Sequence, residues 1–160
     1  MSVPSEDQEV PQRPPGALAA FVSRFRAHQN APGQVIIPPG LTPLRFDDEE
    51  YDGLGEYDPL VTYRFIPVQD GYYIFSCSME VFIAALTTVG IFIRRIAPPL
   101  IIALDEKVNV PAADLACSLQ GTGICFLTAG QIVDVVLVCT ANVTINTNLD
   151  SAHFEGHRLS

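Results

Sequence analysis

The sequence predicts an all-β protein, a β-sandwich or jelly roll. Three observations carry that expectation. Residues 71–81 alternate strictly, with Tyr73, Phe75, Cys77, Met79 and Val81 on one side and Tyr72, Ile74, Ser76, Ser78 and Glu80 on the other. Such a period of two is the mark of a half-buried strand. Short apolar runs then recur between turn residues, and no long helical period appears after Phe25.

The elements follow in chain order. Residues 1–16 carry Pro4, Pro11, Pro14 and Pro15, mixed charge and no period, and are expected to form a flexible tail. Arg13-Pro14-Pro15-Gly16 resembles one collagen triplet, but a single glycine makes no repeat and no triple helix. Residues 17–160 are expected to form one domain. Its first strand runs over residues 19–25 with Phe21, Ser23 and Phe25 on one face, a short helix being the alternative. Asn30, Pro32, Gly33, Pro38, Pro39 and Gly40 mark a loop. Leu44-Arg45-Phe46 is a short strand, followed by an acidic loop.

Gly71 precedes the alternating strand and suits a turn with positive φ, while Pro67 fits a strand start where its missing N–H does least harm. Residues 82–96 continue as strand, with Thr87, Thr88 and Gly90 as bend points, until Pro98-Pro99 interrupts pairing. Residues 100–104 make a short strand and Asp105-Glu106-Lys107 a turn. Leu115, Cys117 and Leu119 alternate inward before a break at Gly121-Thr122-Gly123, and residues 124–127 resume the sheet. Thr128-Ala129-Gly130-Gln131 signals a hairpin. Beyond it Val133, Val135, Leu137 and Cys139 face one side, and residues 142–148 form a Thr- and Asn-rich strand.

Composition bounds the function. The chain has 160 residues, enough for a real core. It is 48% hydrophobic and 17% charged, an apolar surplus that points to surface buried against another copy or to a fully sandwiched core. A net charge of −9, with Lys107 the only lysine, argues against nucleic acid, whose phosphates need clustered cations. The first residues are polar and proline-rich, with no apolar signal core. The uncharged run over residues 81–93 is too short for a membrane helix.

The chemistry-bearing residues form few patterns. Cys77, Cys117, Cys125 and Cys139 show neither a CxxC pair nor zinc spacing. They read as small buried hydrophobes, with a disulfide such as Cys117 to Cys125 as the alternative. His28, His153 and His157 fall outside any HExxH motif and suit surface or interface positions. Nucleophile-elbow and phosphate-loop motifs are missing, and the GxG at Gly53 and at Gly121 reads as a turn. Asn142-Val143-Thr144 is a chance-frequency glycosylation sequon. Alternation puts only one of Arg94 and Arg95 outward; contact with an acidic partner is one reading and a strand end reaching water the plainer one. Asp47, Asp48, Glu49, Glu50, Asp52, Glu56 and Asp58 crowd one segment. Carboxylate oxygens suit calcium, and Asp47, Asp48, Glu50 and Asp52 are the candidate ligands, against the plainer account of a solvated acidic loop. An EF-hand fails, because Pro59 stands where the bidentate Glu belongs.

Phe46, Asp52, Tyr57, Phe65, Gly71, Tyr73 and Phe75 occur in the order found in the C1q globular domain family, and the chain resembles that family of tumour-necrosis-factor-like jelly rolls. Ala20-Phe21-Val22-Ser23 is similar to its opening strand and Gly130-Gln131-Ile132-Val133 to its late hairpin. Ser151, Phe154, Gly156 and Leu159 are similar to its closing strand. Two departures are an extra residue between Tyr57 and Phe65, and Cys77 in place of an aromatic. The resemblance implies a ten-stranded jelly roll, a compact homotrimer and a non-catalytic module binding protein or carbohydrate ligands through loops, in some similar domains with calcium. It favours the extracellular space or a cell or spore surface. A structural surface or spore-coat assembly protein is the alternative. An enzyme is not expected, since catalytic jelly rolls usually present a histidine cluster that this chain lacks. Phe46, Tyr57, Phe65, Gly71, Tyr73, Phe75, Phe154 and Gly156 are expected to serve packing.

Overall fold

The computed structural model describes residues 22–30, 34–37, 41–83, 86–110, 116–146 and 152–159. The tail, Phe21, Leu115, Asn148 and Ser151 lie outside them. The described residues form thirteen strands: β1 Arg24–His28, β2 Val35–Ile36, β3 Thr42–Pro43, β4 Asp48–Asp52, β5 Tyr57–Asp58, β6 Arg64–Phe65, β7 Gly71–Ile83, β8 Thr87–Arg95, β9 Leu100–Val110, β10 Ala116–Leu127, β11 Val133–Cys139, β12 Val143–Ile145 and β13 His153–Arg158. The count exceeds ten because β2, β3, β5, β6 and β12 are pieces of two or three residues.

Two antiparallel sheets face each other. Sheet A runs β2-β12-β7-β13-β1-β4, with β10 along the other edge of β7. Sheet B runs β5-β6-β11-β8-β9, with β3 also on β11. The alternating strand behaves as its period requires, and every second residue from Tyr73 to Ile83 is buried. Between the sheets lies an aromatic cluster. Phe25 stacks on Tyr57 at 5.0 Å and on Phe65 at 4.8 Å, and meets Phe154 edge-on at 4.9 Å. Phe46, Tyr73 and Phe75 are equally buried. The two phenols are satisfied: Tyr57 donates to the Phe46 carbonyl at 3.0 Å and Tyr73 to the Gln69 carbonyl at 2.8 Å.

Several local expectations change. Among the described residues the first strand covers Arg24–His28, and the expected parity holds, with Ser23, Phe25 and Ala27 inward. Residues 44–46 are not a strand; Pro43 and Thr42 pair with β11 instead, and Leu44 donates its N–H to the Val135 carbonyl at 2.9 Å. Gly71 is the first residue of β7, paired with Leu127, and among the described residues the positive-φ glycines are Gly55 and Gly130. Gly90 sits within β8; the irregularities against β9 fall between Thr87 and Val89 and between Ile93 and Arg94. Asp105-Glu106-Lys107 is no turn. These residues continue β9 opposite Ile91, Gly90 and Val89. Charge is tolerated there because β9 is an edge strand of sheet B.

β10 is likewise unbroken through Gly121-Thr122-Gly123. A Cβ on Gly123 would lie 2.2 Å from the Ile102 carbonyl oxygen, and one on Gly121 would lie 3.4 Å from Ala103 Cβ. The glycines let the β9 and β10 edges close against each other. Gly123→Ala is therefore expected to lower the urea midpoint by an amount equivalent to about 1–3 kcal/mol, with Gly130→Ala a strained-turn control outside this contact. The turn at Gly130 connects strands of different sheets, so it is a crossover and not a hairpin. β11 is buried on both faces, its outward Val136 included, because it is central in sheet B.

All four cysteines are free. Cys117 and Cys125 sit eight residues apart on the continuous β10, and an extended strand holds them far beyond bonding distance. Burial raises the pKa of each thiol and keeps it protonated.

Candidate functional site

The acidic segment is mostly strand. Asp48–Asp52 forms β4 at the edge of sheet A, paired with β1 through a bulge. Three of the four carboxylates proposed for calcium have separate partners. Asp47 accepts the Asn30 N–H at 2.8 Å. Glu50 meets His28 Nε2 at 3.0 Å and Arg26 Nε at 3.5 Å. That histidine contact, opposed by slight desolvation, holds the Glu50 carboxyl below its ordinary range. Asp52 accepts three backbone N–H groups, from Leu54 at 3.1 Å, Gly55 at 2.8 Å and Tyr57 at 2.6 Å. Asp48 stands opposite His28. Among the described residues no cluster of three or more His, Cys, Asp or Glu side chains has metal-holding geometry.

Glu56 and Asp58 shape the neighbouring turns. Glu56 is buried, accepting the Ser23 hydroxyl on one oxygen and the Val68 N–H at 2.8 Å on the other. Asp58 accepts Leu60 N–H at 3.0 Å, Val61 N–H at 3.1 Å, and both the N–H and the hydroxyl of Thr62 at 3.0 and 2.8 Å. The Thr62 hydroxyl above all, then these amides, pull its pKa below the ordinary value. A depressed carboxyl stabilises the turn above its unfolded pKa and stops doing so as pH falls through the lower folded one. The Leu60, Val61 and Thr62 amides are thus expected to lose exchange protection in that acidic window, and Asp58→Asn should lose part of it already at neutral pH.

The outward side of sheet A is divided by chemistry. Tyr72 and Phe126 are register partners on β7 and β10, with rings edge-on at 5.3 Å. Ile74 and Ile124 form the next pair, and Val22 and Leu159 extend the apolar end. Tyr72 is 53% exposed, Phe126 47% and Ile124 57%, so a single chain leaves this patch wet. Further along the face the residues are charged: Arg26 reaches Glu50 and Glu155, and His28 lies 6.3 Å from His153 across β1 and β13. His157 is exposed beside Arg24, which covers the Tyr51 ring at 5.3 Å.

Neither Arg94 nor Arg95 is a bare charge. Arg94 grips buried Asp134 with two hydrogen bonds, 2.8 and 3.2 Å, and Arg95 donates to the Pro98 carbonyl at 2.8 Å. Asn142 is exposed just ahead of β12. The signature aromatics Phe46, Tyr57, Phe65, Tyr73, Phe75 and Phe154 come together in the core, with Gly156 under the Phe75 and Phe25 rings. The outward Tyr72 and Ile74 went unused as a site, although apolar side chains on the face that ought to be polar were the available signal.

No family model and no curated protein sequence matches the chain. Solved structures do. The chain is similar to the globular domain of zebrafish complement 1qA protein (TM-score 0.61, 15% identity), covering 86% of this chain and 98% of that one. It is also similar to the Eiger tumour necrosis factor of S. frugiperda (0.65, 14%, 87% and 93%) and to murine APRIL (0.65, 11%, 86% and 98%). The chain has the jelly-roll sandwich fold of the C1q globular domain and the tumour necrosis factors.

Proposed function

We propose that this protein is a non-catalytic recognition module that works as a compact homotrimer and binds protein or carbohydrate ligands through its loops. The apolar end of sheet A, built on the Tyr72 and Phe126 rings, carries the reading. A contiguous exposed patch of large apolar side chains marks an interface in a chain of net charge −9. Cyclic symmetry would cover that patch identically on every copy. The loops at the ends of the sandwich stay free to vary on a rigid scaffold. The similarity of fold to the globular domain of complement 1qA protein and to tumour necrosis factors supports the reading.

Light scattering after size exclusion tests it, with and without a calcium chelator. A discrete particle of about three times the 17.4 kDa chain mass is expected. A folded single chain would overturn the reading. A polymer would favour a surface or spore-coat assembly protein, for which the exposed Leu100, Ile101, Leu104 and Val108 of the β9 edge supply a second contact. A mass that falls on chelation would assign calcium to the assembly.

A further inference from the structure

We propose that a cleft between Arg45 and Arg64 binds the carboxylate of an acidic saccharide; this site rests on the recognition reading above. The cleft follows from how β11 is covered. Along one edge of β11, Phe65 of β6 pairs at Val133, and Pro43 and Thr42 of β3 pair at Val136 and Leu137. Between these two short strands the surface opens into a hollow lined by Thr42, Arg45, Thr62, Tyr63 and Arg64.

Charge singles it out. Arg26, Arg94 and Lys107 hold carboxylates, Arg95 and Arg158 hold neutral oxygens, and Arg24 covers a ring. Among the described residues, Arg45 and Arg64 are the two cationic side chains left with no ion pair, guanidinium hydrogen bond or ring contact, and both line this cleft. Arg64 Nε is shielded from solvent and has no acceptor. Asp58 stands opposite Arg64 in the strand register, yet its oxygens are taken by the turn that follows it. No carboxylate lines the hollow, in a chain of net charge −9.

The wall is also held in an unusual conformation. Asp58 gathers the amides of residues 60–62, and the turn ends on Tyr63 at φ 55°, a left-handed backbone for an aromatic residue. Such outliers persist only where the surroundings over-determine them, and they cluster at binding sites. Gln34 ties the opposite wall, donating to the Pro43 carbonyl at 3.1 Å and accepting the Arg45 N–H at 3.2 Å. Guanidinium groups match the planar, two-oxygen geometry of a carboxylate. Thr42 and Tyr63 add hydroxyls and an aromatic ring, the chemistry that sugar hydroxyls and sugar faces meet. The chain's negative field disfavours a dense polyanion and leaves a saccharide with isolated acid groups as the better fit.

The test is calorimetric titration of the intact protein with a disaccharide of one galacturonate and one neutral sugar, its methyl ester, sodium sulfate and an acidic hexapeptide, with native mass measured in parallel. The singly acidic saccharide should bind and the ester should not. Arg64→Gln and Arg45→Gln should each weaken binding about tenfold to a hundredfold, and Arg64→Lys should restore only part of it. Unchanged circular dichroism and mass would show that these variants fold and assemble. Equal binding by the glutamine variants, or no binding by the wild type, overturns the cleft. Equal affinity for the hexapeptide or for sulfate overturns the saccharide assignment. An assembled mass without saccharide binding leaves the recognition reading standing; a single-chain mass removes that reading as well.

Discussion

Phe126→Glu is expected to reduce the native mass to that of one chain while leaving the β-sheet spectrum unchanged. Phe126 points away from the core, so the sandwich does not need it. In the proposed homotrimer its ring and that of Tyr72 would be covered by another copy. Burying rings of this size contributes about 1.5–3 kcal/mol each. A carboxylate forced into the same contact is left without a partner, at a cost of several kcal/mol. The penalty recurs on every copy, which turns a local change into dissociation. Tyr72→Glu should behave alike, since it occupies the same row of the sheet. Thr122→Glu, four residues away on the same strand face and beyond the apolar end, should have a much smaller effect. If Phe126→Glu and Tyr72→Glu both keep the wild-type mass, the interface lies elsewhere.

Phe154→Ala is expected to be the most damaging single truncation inside the sandwich. Phe154 has no exposed surface and contacts Phe25 at 4.9 Å, Phe46 and Phe75 at 5.9 Å and Tyr57 at 6.1 Å. It therefore joins sheet A to the aromatic residues facing it. Removing such a ring costs about 3–5 kcal/mol, against a total stability of about 5–15 kcal/mol for a typical domain. Urea unfolding followed by tyrosine fluorescence would show the midpoint falling sharply or the variant already unfolded; the chain has no tryptophan to obscure the signal. Gly156→Ala attacks the same cluster by overfilling it, because the added Cβ would stand 2.6 Å from the Phe75 ring and 2.8 Å from the Phe25 ring. A midpoint shift below about 1 kcal/mol for Phe154→Ala would mean that the rings do not carry the core.

Much of the core was readable from local pattern. Tyr73, Phe75, Cys77, Met79 and Val81 alternate in a way that only a half-buried strand explains, and each is buried. The same alternation named Tyr72 and Ile74 as outward residues, half of the apolar patch. Turn chemistry was less reliable. Asp105-Glu106-Lys107 and Gly121-Thr122-Gly123 carry turn-forming residues, yet both lie inside strands. In the first, the Asp105 carboxylate accepts the Gln120 N–H at 3.0 Å and Lys107 Nζ approaches at 3.2 Å, so the charges are used across the β9 and β10 edges. In the second, the missing side chains admit the backbone of Ile102.

The candidate site was legible only in part. The acidic residues of 47–58 were visible as a cluster, but sequence spacing does not show that Asp52 and Asp58 spend their oxygens on nearby amides. Arg45 and Arg64 drew no attention as a pair, because they lie nineteen positions apart and neither sits in a motif. They share a cleft only because β3 and β6 follow one another along the same edge of β11.

Side-chain periodicity and aromatic content were enough to establish a sandwich of strands and to say which residues of its longest strand face inward, since the period of two is a property of each strand alone. Strand order, the closure of β9 on β10, the partner of every charged group and the meeting of two distant arginines were decided in three dimensions. Those features depend on which segments become neighbours, and hydrogen-bond ladders between remote strands leave no local periodic trace in the chain.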